Sequence, residues 1–273
     1  MISRRSRHDG WPYGQPPSAF TLNHASPQAK GLVGWWPTAG TPGASVLHNY
    51  SSRKQLVGTF PGGAANPAWA TERALGAVIS YSGAQDVTVA SFNISAVTVS
   101  MWVKTSQVAD MHLLNRDISA AHRVWQFRIQ DSGGRKLQFV CFNTTGGLNT
   151  ATGTTILTDG VLHHVVGTYG SEMISVYVDG LYEGQAGRTG TLSQQVAEMR
   201  IGKPGGFGGG YYTGLVGDIR VYNRALSPAE IWQLWAPQTR WDLYRPLLDS
   251  VVAKAPTVGT GSRTLATTGA GAS

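Results

Sequence analysis

The sequence predicts an all-β fold, a sandwich or barrel of short antiparallel strands, with one short helix near its C-terminal side. Three observations carry this. Charged residues make up 14% of the 273-residue chain, well below the roughly quarter usual in soluble domains, while 35 glycines exceed the expected share. Segments of alternating polarity recur between tight-turn residues. Only Ser227 to Trp235 reads as a helix. There Ser227 suits the cap, Pro228 the first helical position, and Glu230 completes a capping box three residues after the serine.

Taken in order, Gly31-Leu-Val-Gly-Trp-Trp-Pro37 is a first strand stopped by proline. Ala96 to Lys104 alternates: Val97, Val99, Met101 and Val103 point one way, and Thr98, Ser100, Trp102 and Lys104 the other. Arg123–Gln130 and Lys136–Phe142 flank Asp131-Ser-Gly-Gly134 as a hairpin. Leu162–Tyr169 precedes a second hairpin, Ser175–Gly184, whose Asp179-Gly180 suits a tight turn with positive φ. Met199–Gly202 and Gly214–Tyr222 complete the set. With 41% hydrophobic and 10% aromatic residues the chain can fill a sizeable core. No run of about 18 apolar residues suggests a membrane span.

Three zones follow from composition. Residues 1–30 form a proline-rich extended arm, 31–236 the β domain, and 237–273 an aromatic and basic tail that ends in low complexity. The net charge of +7 is concentrated in the two arms: Arg4, Arg5, Arg7 and Lys30 oppose Asp9 alone, and Arg240, Arg245, Lys254 and Arg263 oppose Asp242 and Asp249. Arms of this kind suit attachment to an acidic surface. No folded basic patch interleaved with aromatics points to specific nucleic-acid binding. The start, Met1 to Trp11, has no apolar core of a secretory signal, so the expected compartment is a cytosol until assembly or lysis. The single cysteine, Cys141, reads as a buried strand thiol.

Five segments in order resemble the laminin-G-like branch of the concanavalin-A-like jelly rolls. They are Gly31–Pro37, Thr98–Lys104, Leu162–Tyr169 (leucine standing where the family has tryptophan), Tyr177–Gly180 and Arg220–Ser227. The resemblance implies a two-sheet antiparallel jelly-roll sandwich with one short C-terminal helix and extended N- and C-terminal arms. It also implies a place for calcium, but here the early loop reads Asn49-Tyr-Ser-Ser-Arg-Lys-Gln55 and Gly217 takes the place of the usual late aspartate. A hard cation wants six to eight oxygens of net negative character. No metal or other cofactor is therefore expected, with Asn49 and Asp218 the only calcium leads.

The broad fold also houses glycoside hydrolases, which need two carboxyls about 5 to 9 Å apart. The sequence shows no such spacing, and no catalytic residue is assigned. His163 and His164 are adjacent in a strand and point to opposite faces, one expected half-buried and one exposed. Gly205 to Gly210 reads as a flexible rim loop, since it lacks the Lys-Ser/Thr of a phosphate loop. Sugar recognition uses exposed aromatic faces, for which Trp102, Trp125, Phe207, Tyr211 and Tyr212 are the candidates.

The proline-rich start, the Gly-Leu-Val-Gly-Trp-Trp-Pro opening and the Trp241-Asp-Leu-Tyr-Arg-Pro246 ending resemble laminin-G-like proteins of tailed bacteriophages. That implies a non-catalytic virion structural protein: a capsid decoration, fibre or tail-associated module, homo-oligomeric and bound to neighbouring capsid or tail subunits. Its anchors would be Arg4, Arg5, Arg7 and Trp11 at one end and Trp241, Tyr244 and Arg245 at the other. The alternative is a carbohydrate-binding adhesion module that recognises host surface glycans.

Overall fold

The structure is a computed structural model, and it describes residues 19–247 apart from 41–42, 64–65, 120–121, 146, 188–189 and 206–209. In chain order the strands are β1 (Phe20–Leu22), β2 (Leu32–Trp36), β3 (Val46–Leu47), β4 (Gly58–Thr59), β5 (Ala68–Glu72) and β6 (Gly76–Ser82). Then come β7 (Val87–Val89), β8 (Val97–Lys104), β9 (Met111–Ser119), β10 (His122–Gln130), β11 (Lys136–Phe142) and β12 (Leu148–Ile156). The last are β13 (Leu162–Gly170), β14 (Met173–Val178), β15 (Leu181–Gly187), β16 (Met199–Ile201), β17 (Thr213–Tyr222), helix α1 (Pro228–Trp235) and β18 (Tyr244–Pro246).

They form two antiparallel sheets. Sheet I runs β12-β11-β10-β9-β16-β7-β4-β3, and sheet II runs β15-β14-β13-β8-β17-β6-β5, with β2 also paired to β17. Between them lies the main core, where Trp36, Trp125, Phe127 and Phe139 meet Val99, Val165 and Val176. This is the predicted sandwich, each strand giving alternate residues to the interior. The hairpin at Asp179-Gly180 has φ of 50° and 78°, as the turn requires. The far edges also touch. Glu183 of β15 accepts hydrogen bonds from the Thr154 and Thr155 amides of β12, at 2.9 and 3.2 Å.

A third layer covers the outer face of sheet II. A second cluster there gathers Trp35, Trp102 and Tyr222 from the sheet, Ile231 and Leu234 from α1, and Phe20, Trp241, Leu243 and Tyr244 from the flanking segments. The helix starts on the expected capping box, with the Ser227 hydroxyl receiving the Glu230 amide and the Glu230 carboxylate receiving the Ser227 amide. β1 and β18 form their own two-stranded ribbon, with Thr21 opposite Arg245. The domain therefore extends beyond the expected 31–236 at both ends, because an apolar sheet face needs a cover and the nearby chain supplies it.

A buried arginine ties this layer down. Arg220 donates to Gln28 Oε1 at 2.7 Å, to the Arg240 carbonyl at 2.8 Å and to Asp218 Oδ2 at 2.5 Å. Asp218 sits where β17 bulges between its pairing with β8 at Gly217 and at Arg220, and it has a φ of 45°. That bulge turns the carboxylate under Trp35 and Tyr244, whose indole N–H and hydroxyl donate to Oδ1 at 2.9 Å each. Burial alone would lower the pKa of the Arg220 guanidinium, but the Asp218 carboxylate beside it raises it overall.

Candidate functional site

Most of the aromatic residues singled out for sugar contact are spent on the fold. Trp125 and Tyr212 are fully buried and Trp102 is 4% exposed. Trp125 faces the inter-sheet core. Tyr212 donates its hydroxyl to the Lys104 and Leu215 carbonyls, at 3.1 and 3.0 Å. Trp102 does lie on the face opposite Val99 and Val103, as alternation predicts, but that face is roofed by the third layer, with Arg240 stacked 5.6 Å above the ring. Only Tyr211 keeps partial exposure, and Phe207 lies outside the described residues.

The anchors divide in the same way. Trp241 and Tyr244 are buried in this chain's own second core, so they do not serve a neighbouring subunit, whereas Arg245 is exposed. Arg4, Arg5, Arg7 and Trp11 lie outside the described residues. The physical reason is proximity: the tail's aromatic surface is buried soonest on the sheet face beside it.

The two calcium leads do not fit a cation. The Asn49 amide is fully engaged: its oxygen accepts from the Trp35 and Ser51 amides at 2.9 and 3.0 Å, and its nitrogen donates to the Arg53 carbonyl at 2.8 Å. Asp218 is 4% exposed, and its oxygens hold Trp35, Tyr244 and Arg220. A guanidinium thus supplies the positive charge beside this carboxylate. Among the described residues no three His, Cys, Asp or Glu side chains gather as metal ligands.

Both predicted strand histidines are buried, at 7% and 1% exposure, which corrects the expected half-buried and exposed pair. They do face opposite ways. His163 Nδ1 lies 2.7 Å from Asp179 Oδ2 and its Nε2 lies 3.3 Å from Asp159. The Asp179 hydrogen bond leads in raising its pKa, against burial. His164 packs on Trp102 under the third layer, 2.8 Å from the Ser100 hydroxyl, and burial followed by Arg220 pushes its pKa down to about 3. On the outer face of sheet I, Asp117 is also buried; burial raises its pKa while Gln126 and Arg123 hold it. Each of these groups has a local partner, although His164 Nδ1 and Asp117 Oδ1 make no hydrogen bond among the described residues.

The open concavity lies elsewhere, where the third layer meets the loop after β3. A groove of about 690 Å³ is bounded by the β1 ribbon, by residues 48–54 and by Arg245 of β18. Its floor is aromatic. The Phe20 ring lies 4.9 Å from that of Tyr50 and 4.6 Å from that of Tyr244, and Trp35 stands edge-on to Tyr50 at 5.8 Å. Tyr50 is half-buried and its phenol pKa is raised by burial. The loop is fixed from behind by the Asn49 amide and by the Tyr50 N–H, which donates to the Trp35 carbonyl at 2.8 Å. The rim carries His24, His48, Lys54 and Arg245, all exposed.

Sequence reasoning noted this loop and its Arg53-Lys54 charge but weighed them only against calcium. It left Phe20 in an unstructured arm. The missing signal was the pairing of β1 with β18, two three-residue strands whose partners, from Leu22↔Tyr244 to Phe20↔Pro246, lie 222 to 226 residues apart and whose contact no local pattern shows. A second aromatic surface was also missed. Trp232 of α1, 45% exposed, lies 4.7 Å from Trp235, and both rings pack beside the Gly180 turn, which is followed by exposed Leu181 and Tyr182.

Comparison with known proteins places the fold. The binding domain of Paraclostridial Mosquitocidal Protein 1 aligns over 76% of this chain and 52% of its own, at 11% identity and a TM-score of 0.59. The receptor binding domain of botulinum neurotoxin D behaves likewise, with 77% and 54% covered, 11% identity and a TM-score of 0.58. The chain thus spans about half the length of these toxin domains. Domain 4 of AbnA, an extracellular arabinanase from Geobacillus stearothermophilus solved with arabinotriose, is covered over 98% of its length and 75% of this chain, at 15% identity and a TM-score of 0.58. At these identities the likeness is one of fold. A sequence-family model matches residues 80–232, more than half of the chain, and with the two-sheet topology it establishes that the chain belongs to the concanavalin A-like lectin/glucanases superfamily, in its laminin-G type.

Proposed function

We propose that this chain is a non-catalytic carbohydrate-binding module and that the groove between β1, residues 48–54 and β18 is its site. The observation that carries the reading is the groove itself: a walled concavity of ligand size, with an aromatic floor and polar groups on its rim. Tyr50, held by its neighbours and half exposed, offers a ring face on which a sugar can stack. Among the described residues no carboxylate lines the groove, and so none there forms the acid pair of a glycosidase. The family and the arabinotriose complex of the arabinanase domain support the same reading.

The test is a glycan array probed with the full chain, followed by titration of the hits against Tyr50→Ala. Saturable binding that falls at least tenfold in the variant is the expected result. Binding untouched by Tyr50→Ala moves the site elsewhere, and no binding at all refutes the reading.

Such a module also fits a virus particle, where it would act as an adhesin held by segments outside the described fold, in which Arg4, Arg5, Arg7 and Trp11 supply charge and aromatic surface. Mass spectrometry of purified virions is the direct check. The presence of the chain with loss of particle association on deletion of residues 1–18 supports this placement, and its absence from the particles rejects it.

A further inference from the structure

We infer that the groove selects acidic sugars: its ligand carries a carboxylate or sulfate that Lys54 and Arg245 receive while the ring stacks on Tyr50. This rests on the carbohydrate reading above and narrows it to a chemical class.

The argument begins with charge. Among the described residues the groove is lined by a lysine, an arginine and two histidines, and by no acid. Six described cations elsewhere pair with a carboxylate, namely Lys104, Arg123, Arg200, Lys203, Arg220 and Arg224. Lys54 and Arg245 are exposed and have no ion-pair partner among the described residues. Asp218, below the floor, pairs with Arg220 and is covered by Trp35 and Tyr244, which donate to it. An anion that enters the concavity meets two positive groups, and apolar walls strengthen the attraction.

Geometry then assigns the roles. In β18 Tyr244 points into the core, so the next residue, Arg245, stands on the other side, opposite Thr21 across the ribbon. Its planar guanidinium matches the two oxygens of a carboxylate or sulfate, while Lys54 acts as a point charge. Tyr50 belongs to the loop that bears Lys54, and its ring meets Phe20 of the ribbon that bears Arg245. Tyr50, Lys54 and Arg245 all line this one groove, which brings a stacking face and two cations to a single concavity. The two cations come from segments far apart in sequence, so the site exists only when the third layer is docked.

The experiment is an array of carboxylated and sulfated glycans printed beside their methyl-esterified and desulfated counterparts, probed with the full chain. Hits are titrated against Lys54→Ala, Arg245→Ala, Arg245→Lys and, as a charge control outside the groove, Lys30→Ala. The inference predicts that acidic members bind and that masking the acid costs at least about tenfold, as does Arg245→Ala. Arg245→Lys should recover only part of the loss, and Lys30→Ala should behave as wild type. Preference within the array for carboxylated or sulfated members identifies which anion is used. Binding of neutral glycans that is lost in Tyr50→Ala but indifferent to Lys54 and Arg245 overturns this inference and leaves the carbohydrate reading standing. Equal losses in Lys30→Ala and Arg245→Ala reduce the effect to bulk charge and also overturn it. Silence across acidic and neutral members rejects the carbohydrate reading itself. Circular dichroism confirms that each variant is folded.

Discussion

Asp218→Asn should loosen the layer that builds the groove. Asparagine keeps the size of the side chain and tolerates the φ of 45° at this bulge. Its oxygen can still accept from the Trp35 indole and the Tyr244 hydroxyl, which both bond Oδ1. What goes is the charge beside Arg220, whose side chain is 1% exposed. Leaving one member of a buried ion pair unmatched costs about 3–5 kcal/mol, and with the neutral hydrogen bonds retained the lower end, about 3 kcal/mol, applies. For a domain of this size that lowers the melting temperature by about 6–12 °C. Chemical denaturation and calorimetry measure it, and tryptophan emission from Trp35 and Trp241 reports whether the layer lifts first. Adding Arg220→Met should restore at least half of the loss, because the stranded charge is then gone. A single variant within about 0.5 kcal/mol of wild type would show that Arg220 finds its charge balance elsewhere, and would refute this account.

The other expectations are simpler. The raised pKa of His163 means that its clasp with Asp179 contributes fully below the ordinary histidine value of about 6.5 and fades as pH rises through the raised value. His163→Gln should therefore cost more stability at pH 5.5 than at pH 8.5 in denaturant titrations, and equal losses would contradict it. Arg224, then the Ser227 cap, hold Glu230 down to about 2, so its contribution is present above the ordinary value and lost only as pH falls through about 2. Ser227→Ala, which removes the cap, should cost about 1 kcal/mol by urea denaturation. Gly184→Ala would place a methyl 2.2 Å from the Thr152 carbonyl oxygen, forcing the β12 and β15 edges apart at a cost of about 1–3 kcal/mol, visible as a lower unfolding midpoint.

The sandwich was legible because its signals are local. Alternation in Ala96–Lys104, the Asp179-Gly180 turn and the Ser227–Glu230 box each act within a few residues, and each appears in the structure as read. The groove was not legible, because it depends on a contact between chain segments more than two hundred residues apart. Phe20-Thr-Leu22 and Tyr244-Arg-Pro246 are too short and too near prolines to read as strands, yet together they cover one apolar face. Trp102 shows the same limit from the other side. Its facing was read correctly, but whether a face meets water is decided by what else docks there, and strand periodicity says nothing of that. Lys54 was visible throughout; its meaning changed once Asn49 and Asp218 proved to be occupied.

The β1–β18 ribbon has a mechanical consequence. Because Ala19 and Leu247 lie side by side, joined by a hydrogen bond of 3.1 Å, the polypeptide enters and leaves at one corner. Tension applied between those two points would peel the strands apart one rung at a time, like a zipper, instead of shearing several rungs together. The wall that carries Arg245 would part from the one that carries Thr21 while sheets I and II were still intact. A tethered copy under load would then open this groove before the sandwich unfolded, and the groove would close again once the strain had passed.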